Sequence, residues 1–440
     1  MRLTMGILVV SGVTTAAALG AGPARQVPVP DATLVGWAML PVDTLADGPT
    51  SGQFAGAGQF GRSLPLPGKQ PVQGFSGVIA GPASGTYYVV QDNGFGAKAN
   101  SADALLHVYA VRPEFRTSRG GSGTVGAADF RTGRPLPSFL PDSFITLRDP
   151  ERRAGFPIVA ERETYPGAPA GIAVDASIRS GRLLTGADFD PESIRRDRQG
   201  NFWFGDEFGP FLLKTDAAGT LLRAEIPLEG VFSPDHPQLG GRTPTLGRSR
   251  GFEGLALGTD GATLFALVEG TVTGDPPNTL RMHEFDLTSE RYTGRSFLYP
   301  LSDEATNIGD MTALDAHRFL VLERNEVSGA SGPRAPVKRV FVADIQGVAS
   351  GRAVSKTLVA DLMHIADPDD LNRDGLTTFT FPFITIEDIL VVDTETVLIV
   401  NDNNYPGGGG RGAVSDNTEF ILVRLGLTAR SSPGVGLPPP

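Results

Sequence analysis

Acidic residues recur at matching places in five segments of the 440-residue chain. Each segment has a small or acidic start, a short apolar run, a turn, and a second apolar run that ends in polar or acidic residues. The segments begin at Phe75, Asp190, Gly251, Ile308 and Ile386. In an antiparallel hairpin, the start of the first strand and the end of the second lie at the same end. The acids at the two ends of each segment are therefore predicted to be neighbours in space.

These paired acids are candidate ligands for a hard cation. Two unit charges 4 Å apart repel by about 4 kcal/mol at an effective dielectric constant of about 20. If the acids of several hairpins lie around one opening, they therefore need bound protons or cations. Carboxylate oxygens with asparagines nearby suit calcium better than a transition metal. Some of these acids are also expected to cap turns. The predicted calcium ligands are Glu192, Glu253, Asp310, Glu387, Asp206, Asp92, Glu269 and Asp402.

A second oxygen-rich stretch, DPDDLNRDG, occupies residues 367–375. Asp370, Asn372 and Asp374 have the spacing with which a calcium-binding loop begins. Phe381 stands where such a loop of the EF-hand type needs a bidentate glutamate. An ordinary Asp/Asn turn and a metal site are both open interpretations of this stretch.

The repeated hairpins predict how the acids are positioned. A further β-rich run follows each hairpin, helical periodicity is scarce, and 56 Gly and 35 Pro supply turns. Repeated antiparallel units predict an all-β fold, a β-propeller, with a β-sandwich as the alternative. Five or six blades are both open, because a degenerate unit could lie between Pro113 and Gly186, where Phe144–Leu147 and Pro157–Ala160 are predicted strands. The run Leu34–Leu40 is predicted to complete the C-terminal unit and to close the ring with an N-terminal strand.

The ends of the chain and its composition indicate where it works. Residues 1–20 combine one Arg, an apolar stretch and small residues, as a secretory signal does; an uncleaved membrane anchor is the alternative. We expect one propeller domain over 33–427, a disordered tail over 428–440, and a secreted or periplasmic monomer without a membrane span after signal cleavage. Zero Cys excludes disulfides and thiolate chemistry, and a net charge of −11 argues against nucleic acid as a partner.

Several stretches resemble one known family. They are LLTGADFDPESI (183–194), NFWFGDEFGPFLLK (201–214), GFEGLAL (251–257), IGDMTAL (308–314) and the ending IEDI…NDNN (386–404). The chain resembles, from about Gly74 to Leu425, the phytase-like family described as having esterase-like activity. This resemblance implies a secreted bacterial β-propeller that holds metals at its mouth and hydrolyses ester or phosphoester bonds.

Metal-assisted hydrolysis of a small phosphoester or carboxylic ester is the leading functional hypothesis. Glu207 and Glu323 are the predicted catalytic residues, which orient or deprotonate an attacking water. Arg250, Arg324 and Lys214 are the predicted substrate-binding residues, because cationic side chains grip phosphate oxygens. Each of these three is alternatively a salt-bridge partner of an acidic neighbour.

Two other functions fit parts of the sequence. A serine hydrolase would use Ser249, in the string GRSRG, or Ser76. A nucleophile elbow, however, needs a strand before it and a helix after it, and here a loop precedes and a hairpin follows. None of the five His residues stands at metal-ligand spacing from another. The second alternative is a calcium-stabilised propeller that binds a small ligand or a protein without catalysis.

Overall fold

A computed structural model of the protein describes residues 31–56, 61–329, 333–412 and 415–426. The predicted signal peptide (1–20) and the predicted tail (428–440) lie outside the described residues. In the described ranges the chain forms strands β1–β25 and one short α-helix, α1 (Ala176–Gly181). The prediction of an all-β fold is therefore confirmed. No helix among the described residues is long and apolar enough to cross a membrane.

The strands are short and follow one another closely along the chain. In chain order they are β1 (Ala32–Leu40), β2 (Leu45–Asp47), β3 (Lys69–Pro71), β4 (Phe75–Ala80), β5 (Tyr87–Gln91), β6 (His107–Glu114), β7 (Thr124–Ala127), β8 (Phe144–Thr146), β9 (Pro191–Arg196), β10 (Phe202–Asp206), β11 (Phe211–Thr215), β12 (Ile226–Pro227), β13 (Phe252–Leu257), β14 (Thr263–Val268), β15 (Thr279–Asp286), β16 (Arg291–Pro300), β17 (Asn307–Ala313), β18 (Arg318–Arg324), β19 (Lys338–Asp344), β20 (Ser355–Asp361), β21 (Ile365–Ala366), β22 (Thr378–Phe379), β23 (Asp388–Val391), β24 (Thr396–Val400) and β25 (Thr418–Leu425).

Consecutive strands pair antiparallel into meandering sheets. Strands β9–β12, β13–β16 and β17–β20 form three separate four-stranded sheets, and β4–β7 form a similar run. Strands β23, β24 and β25 form the last run, and β1 pairs antiparallel with β25 from Ala32 opposite Leu425 to Leu40 opposite Thr418. A single parallel pair, Met39 with Thr124, connects β1 to β7. The N-terminal strand thus lies beside the C-terminal one.

The first strands of the five runs contact one another in a cycle. Strand β4 contacts β9, β9 contacts β13, β13 contacts β17, β17 contacts β23, and β23 contacts β4. The approach is close enough to require glycine. A Cβ added at Gly77 would lie 2.8 Å from the amide nitrogen of Ile194, and one at Gly309 would lie 1.7 Å from the carbonyl oxygen of Ile386. This convergence brings the starts of the five hairpins together.

Apolar layers between neighbouring sheets explain the continuous hydrophobic runs of the second strands. In β14 (TLFALV) every residue after the first is buried, and β24 (TVLIV) has the same pattern. A strand covered on both faces loses the alternation of apolar and polar residues that a half-exposed strand shows. Phenylalanines from adjacent sheets meet in these layers, as Phe265 and Phe319 do at a centroid distance of 4.8 Å.

Between Pro113 and Gly186, where a degenerate sixth blade was one of the two interpretations, the described residues form no further four-stranded sheet. The predicted strand Phe144–Leu147 corresponds to β8, which pairs with β6. The predicted strand Pro157–Ala160 is wrong, because Val159–Glu161 is a turn of 3₁₀ helix. Pro157 has no N–H to donate, and the N–H of Val159 donates to the carboxylate of Asp188 at 2.7 Å instead of to a strand.

Candidate functional site

A β-bulge at the start of each of four first strands places one residue outside the regular pairing. The pairing passes over Ser76, Glu192, Glu253 and Gly309. Glu387 immediately precedes β23 at the corresponding position. A bulge bends the strand and re-aims the extra side chain. These five residues, four with polar side chains and one glycine, therefore occupy equivalent positions where the first strands converge.

Three of these residues, Glu192, Glu253 and Glu387, line a cavity of about 240 Å³. Two basic residues, Arg250 and Arg324, line it, together with uncharged residues that include Asn93 and Ser249. The acidic lining residues are Asp92, Asp190, Glu192, Glu207, Glu253, Glu269, Glu326, Glu387 and Asp402. The predicted convergence of acids on one opening is thus present in the structure.

On one side of the cavity, arginines neutralise the carboxylates. One Nη atom of Arg324 lies 3.4 Å from Glu253, 3.0 Å from Glu269 and 2.9 Å from Glu387. Arg250 donates to Glu269 at 2.9 Å and to Glu326 at 2.6 Å. This side therefore carries its own positive charge, and Arg324, which is buried, is its centre.

On the other side, three buried carboxylates have no such neutralisation. Asp190, Glu192 and Glu207 each place one oxygen within 4.8 Å of the other two. None of the three forms an ion pair within the described ranges. Asp190 accepts hydrogen bonds from the backbone N–H and the side-chain amide of Asn93, at 2.9 and 2.8 Å. Hard carboxylate oxygens at this spacing fit a calcium-like cation.

A second group of three acids shares Glu207 with the first. Its members are Glu207, Glu253 and Glu269, again with oxygens within 4.8 Å of one another. Glu269 already accepts hydrogen bonds from Arg250, Arg324 and Asn307. Because arginine charge occupies this second group, the group of Asp190, Glu192 and Glu207 is the better cation site.

The pKa values of these acids are shifted by the same surroundings. Burial, reinforced by neighbouring carboxylates, raises the pKa of Asp92, Glu192 and Glu207 well above the usual range. Burial raises the pKa of Glu387 to about 8, although Arg324 opposes the shift. Burial likewise raises the pKa of Asp402 to about 6. Without a bound cation, the cavity therefore retains protons near neutral pH.

A pH dependence of stability follows for the metal-free protein. The pKa of Glu387 is about 8 in the folded protein against an ordinary value of 4.5, so the folded state binds more protons than the unfolded state between these values. Stability therefore falls as pH rises through that window. In EDTA we expect the melting temperature to be several degrees lower at pH 8 than at pH 5, and Glu387→Gln to flatten this slope. A melting temperature that rises from pH 5 to pH 8 in EDTA would contradict the electrostatics of the cavity.

Three predicted site acids lie outside the cavity lining. Asp310 follows the bulged Gly309 by one residue and accepts a hydrogen bond from Arg195 at 3.0 Å. Asp206 accepts the backbone N–H groups of Asp190 and Gly209, at 2.8 and 2.9 Å, and so fixes the turn after β10. Glu323 is held by the hydroxyl of Tyr299 at 2.7 Å and by Lys356. Strand register and nearby donors thus direct these three carboxylates elsewhere.

Of the predicted basic and serine candidates, some line the cavity and others do not. Arg250 and Arg324 line the cavity, whereas Lys214 pairs with Glu290 at 2.6 Å, away from it. Ser249 lines the cavity with a left-handed backbone conformation, at φ 52°, but no histidine is among the lining residues that the structure describes. The hydroxyl of Ser76 donates to Glu387 at 2.9 Å. The arrangement thus offers neither serine a histidine base.

Sequence reasoning missed two acids of the cavity. Asp190 directly precedes Pro191, where β9 begins, and stands two residues before the bulged Glu192. Asp190 lies in the GADFDPES string, one of the stretches that carry the family resemblance, and this could have indicated it as a site residue. Glu326 lies in the loop after β18, where no repeat pattern marks it.

The DPDDLNRDG stretch is organised by hydrogen bonds to its own backbone. The carboxylate of Asp370 accepts the N–H of Gly375 at 3.0 Å, and that of Asp374 accepts the N–H of Leu376 at 2.8 Å. Such bonds are those of Asx-type turns. The structure favours the turn interpretation of this stretch.

Comparisons with known proteins identify one family, one relative by sequence and several solved structures of low identity. The model of the phytase-like family, described as esterase-like activity of phytase, matches residues 70–405. An uncharacterized secreted protein of Arthroderma benhamiae is 30% identical over 157 residues, which are 30% of this chain and 29% of that protein. The matched segment is therefore less than a third of the relative's length.

Solved structures overlap at low identity. An exo-beta-1,3-galactanase from Phanerochaete chrysosporium has a TM-score of 0.37 at 10% identity, over 89% of this chain and 64% of its own. A GH43 endo-arabinanase from Bacillus licheniformis has a TM-score of 0.34 at 10% identity, over 80% of this chain and 93% of its own. TM-scores of this size carry no inference about activity. The match over residues 70–405 does decide the family: the chain belongs to the phytase-like family.

Proposed function

We propose that the protein is an exported, calcium-dependent hydrolase of phosphoester or carboxylic ester bonds that acts in the acidic cavity. The observation that carries this proposal is the group of Asp190, Glu192 and Glu207, which forms no ion pair among the described residues, with arginine on the opposite side of the same cavity. Family membership and a relative described as secreted support hydrolysis and export. The substrate is a small molecule, in keeping with a cavity of about 240 Å³.

Asp190 and Glu192 are the residues that would hold the calcium ion, with Glu207 beside them. When bound, the ion supplies a positive charge that binds substrate oxygens and stabilises the negative charge of the transition state. The remaining proposed metal ligands of the cavity are Asp92, Glu253, Glu269, Glu387 and Asp402. Asp310 and Asp206 are left out of this set because they lie outside the cavity lining.

Glu207 is the proposed general base. It belongs to both carboxylate groups and lies within the cavity, where a water can approach it. The oxygen of that water attacks the phosphorus or the carbonyl carbon, and Glu207 accepts the proton that the water loses. The bond to the leaving alcohol oxygen breaks, and that oxygen takes up the proton that Glu207 received, so that one water molecule is divided between the two products. Because Glu323 is enclosed by Tyr299 and Lys356, we do not assign it a role in the reaction.

Arg250 is the proposed substrate-binding residue. Its partner Glu326 has a side chain that is 58% exposed, so exchanging that partner for a substrate oxygen costs little. Arg324 contacts three carboxylates and is only 6% exposed. Its proposed role is to hold Glu253, Glu269 and Glu387 in place rather than to bind substrate. Lys214 has no proposed contact with the substrate.

The architecture that we propose for this enzyme is a single five-bladed β-propeller over residues 33–427. The cyclic contacts of β4, β9, β13, β17 and β23 support the blade number. The pairing of β1 with β25 supports closure of the last blade by the N-terminal strand. A monomer that is exported through a cleaved signal in residues 1–20 completes the proposal.

Hydrolysis of chromogenic esters tests the proposed activity. Purified full-chain protein is assayed with p-nitrophenyl phosphate and p-nitrophenyl acetate, in calcium and in EDTA. We expect turnover of at least one substrate in calcium and its loss in EDTA, with recovery when calcium is restored. Turnover that persists in EDTA would contradict metal dependence. If calcium raises the melting temperature but neither ester class is hydrolysed, the protein is a binding propeller and the enzyme proposal fails.

A further inference from the structure

A second cleft, of about 640 Å³, lies in the segment between β8 and β9. It is formed where α1 contacts the 3₁₀ turn Val159–Glu161. Three arginines and one glutamate are its charged lining residues, and we call it the arginine cleft. Its lining consists of Arg152, Arg179, Arg182, Glu161, Ser180 and two alanines. None of these residues lines the acidic cavity, so the two sites are separate.

The arginine cleft is also remote from the acidic cavity. Arg148, which precedes Asp149, pairs with Thr220 in the turn after β11. Because β11 runs antiparallel to β10, this turn lies at the opposite end of the hairpin from Glu207, which follows β10 and lines the cavity. Asp149 in turn accepts the Nε–H of Arg182 at its backbone carbonyl, at 2.6 Å. A ligand held by Arg182 therefore does not reach the cavity.

Arg182 is fixed in place by its surroundings. Its side chain is only 12% exposed, and one Nη lies 3.3 Å from the carboxylate of Asp149 and 2.8 Å from that of Glu161. The residue ends α1 in the left-handed conformation, at φ 47°. Glycine is the usual residue in such a helix end, and another residue there bears a conformational cost. The fold thus holds a guanidinium group at this position.

Positive charge exceeds negative charge around the arginine cleft. Arg152 and Arg182 share one oxygen of Glu161, at 3.2 and 2.8 Å. Asp149 adds one further negative charge beside Arg182. The side chain of Arg179, in the last turn of α1, forms no hydrogen bond or ion pair within the described ranges. Three arginines thus stand against two carboxylates, in a protein whose net charge is −11.

We infer that the arginine cleft binds a phosphate group, either that of inorganic phosphate or that of a small organic phosphate. Guanidinium groups match phosphate oxygens with paired, charge-assisted hydrogen bonds. Arg152 uses one Nη for Glu161, and Arg179 uses none of its N–H groups, so both retain donors for the ligand. The hydroxyl of Ser180 is a further donor, because its bond to the carbonyl of Ser177 is long, at 3.4 Å. The site acts independently of ester hydrolysis.

Calorimetric titration of the metal-free protein tests the arginine cleft. The full-chain protein in EDTA at pH 8, where the acidic cavity repels anions, is titrated at constant ionic strength with inorganic phosphate or with phenylphosphonate, an organic analogue without a hydrolysable ester bond. We expect binding, and Arg179→Gln should weaken it about tenfold or more, as the loss of a charged hydrogen-bond donor does. Tighter binding of phenylphosphonate would identify an organic phosphate as the ligand, and tighter binding of phosphate the free ion; both results support the site.

Two control variants separate this site from other positive charges. Arg131→Gln removes an exposed arginine outside the cleft and the cavity, and Arg250→Gln removes an arginine of the cavity. Both should bind phosphate as the wild type does. Absence of binding to the wild type, equal affinity in Arg179→Gln, or a similar loss in either control would overturn the inference. Neither calcium nor turnover enters this titration, so failure of the proposed hydrolase activity would leave its result unchanged.

Discussion

Replacing Arg324 with methionine is expected to lower the free energy of unfolding by about 3–5 kcal/mol at pH 8 in EDTA, the usual cost of breaking a buried ion pair. One nitrogen of this side chain contacts Glu253, Glu269 and Glu387 at 3.4, 3.0 and 2.9 Å. Without it, the three carboxylates face one another in a buried site. The loss should be smaller at pH 5, because burial raises the pKa of Glu253 and of Glu387 and both hold protons there; calcium should partly restore stability at pH 8. Urea unfolding at the two pH values measures this.

Arg295→Met is a matched control for the Arg324 variant. Like Arg324, Arg295 pairs with a glutamate, Glu284, but its side chain is 45% exposed and lies over the ring of Phe297. Exposed ion pairs contribute about 0–1 kcal/mol, so this variant should unfold nearly as the wild type does. If Arg324→Met is as stable as wild type at pH 8, or loses the same free energy at both pH values, the carboxylates around Arg324 do not depend on its charge.

Replacing Glu207 with glutamine should lower kcat by about 10²–10⁴-fold, the range for loss of a general base. Glutamine keeps the shape of the side chain but cannot accept the proton of the attacking water. Because glutamine also removes one buried negative charge, the variant should be at least as stable as wild type in EDTA. Steady-state rates in saturating calcium, with melting temperature as the check on folding, separate a lost base from a lost fold.

Glu225→Gln provides the control for Glu207→Gln. Burial also raises the pKa of Glu225, whose carboxylate accepts the N–H of Gly155 at 2.9 Å, outside the cavity lining. Its substitution should leave kcat within about twofold of wild type, as expected for a group that touches no reacting atom. Equal rates for Glu207→Gln and the wild type would assign the base to another residue.

The repeat pattern predicted much of the candidate site, because hairpin geometry alone brings the two ends of each segment together. Glu192 and Glu253 at strand starts, and Glu207, Glu269 and Asp402 at or after strand ends, all line one cavity. The same logic predicted that Leu34–Leu40 is a strand, and it forms most of β1. These features depend on local alternation and chain reversal, which the sequence carries directly.

The remaining features depend on tertiary contacts that no local pattern encodes. The repeat pattern places Asp310 at the position that Glu253 has in its segment, but in the structure the bulged residue of β17 is Gly309. Asp310 therefore lies one residue beyond the bulge and contacts Arg195. Glu323 is directed away by Tyr299 and Lys356, which come from other strands. Asp190 reaches the cavity from outside a strand, ahead of a proline. Bulge position and the placement of such residues are decided by packing between sheets.

Calcium titration of the metal-free protein by isothermal calorimetry tests the central claim most directly. The wild-type protein should bind calcium in the acidic cavity, and Asp190→Asn should weaken that binding at least about tenfold, since a carboxylate that holds the ion is lost. Asp103→Asn is the control variant, because Asp103 is a buried acid that accepts the backbone N–H groups of Gly52 and Gln53, and none of these three residues lines the cavity. It should bind calcium as the wild type does. Absence of binding to the wild type, or equal affinity in Asp190→Asn, would contradict the assignment of Asp190, Glu192 and Glu207 as a calcium site.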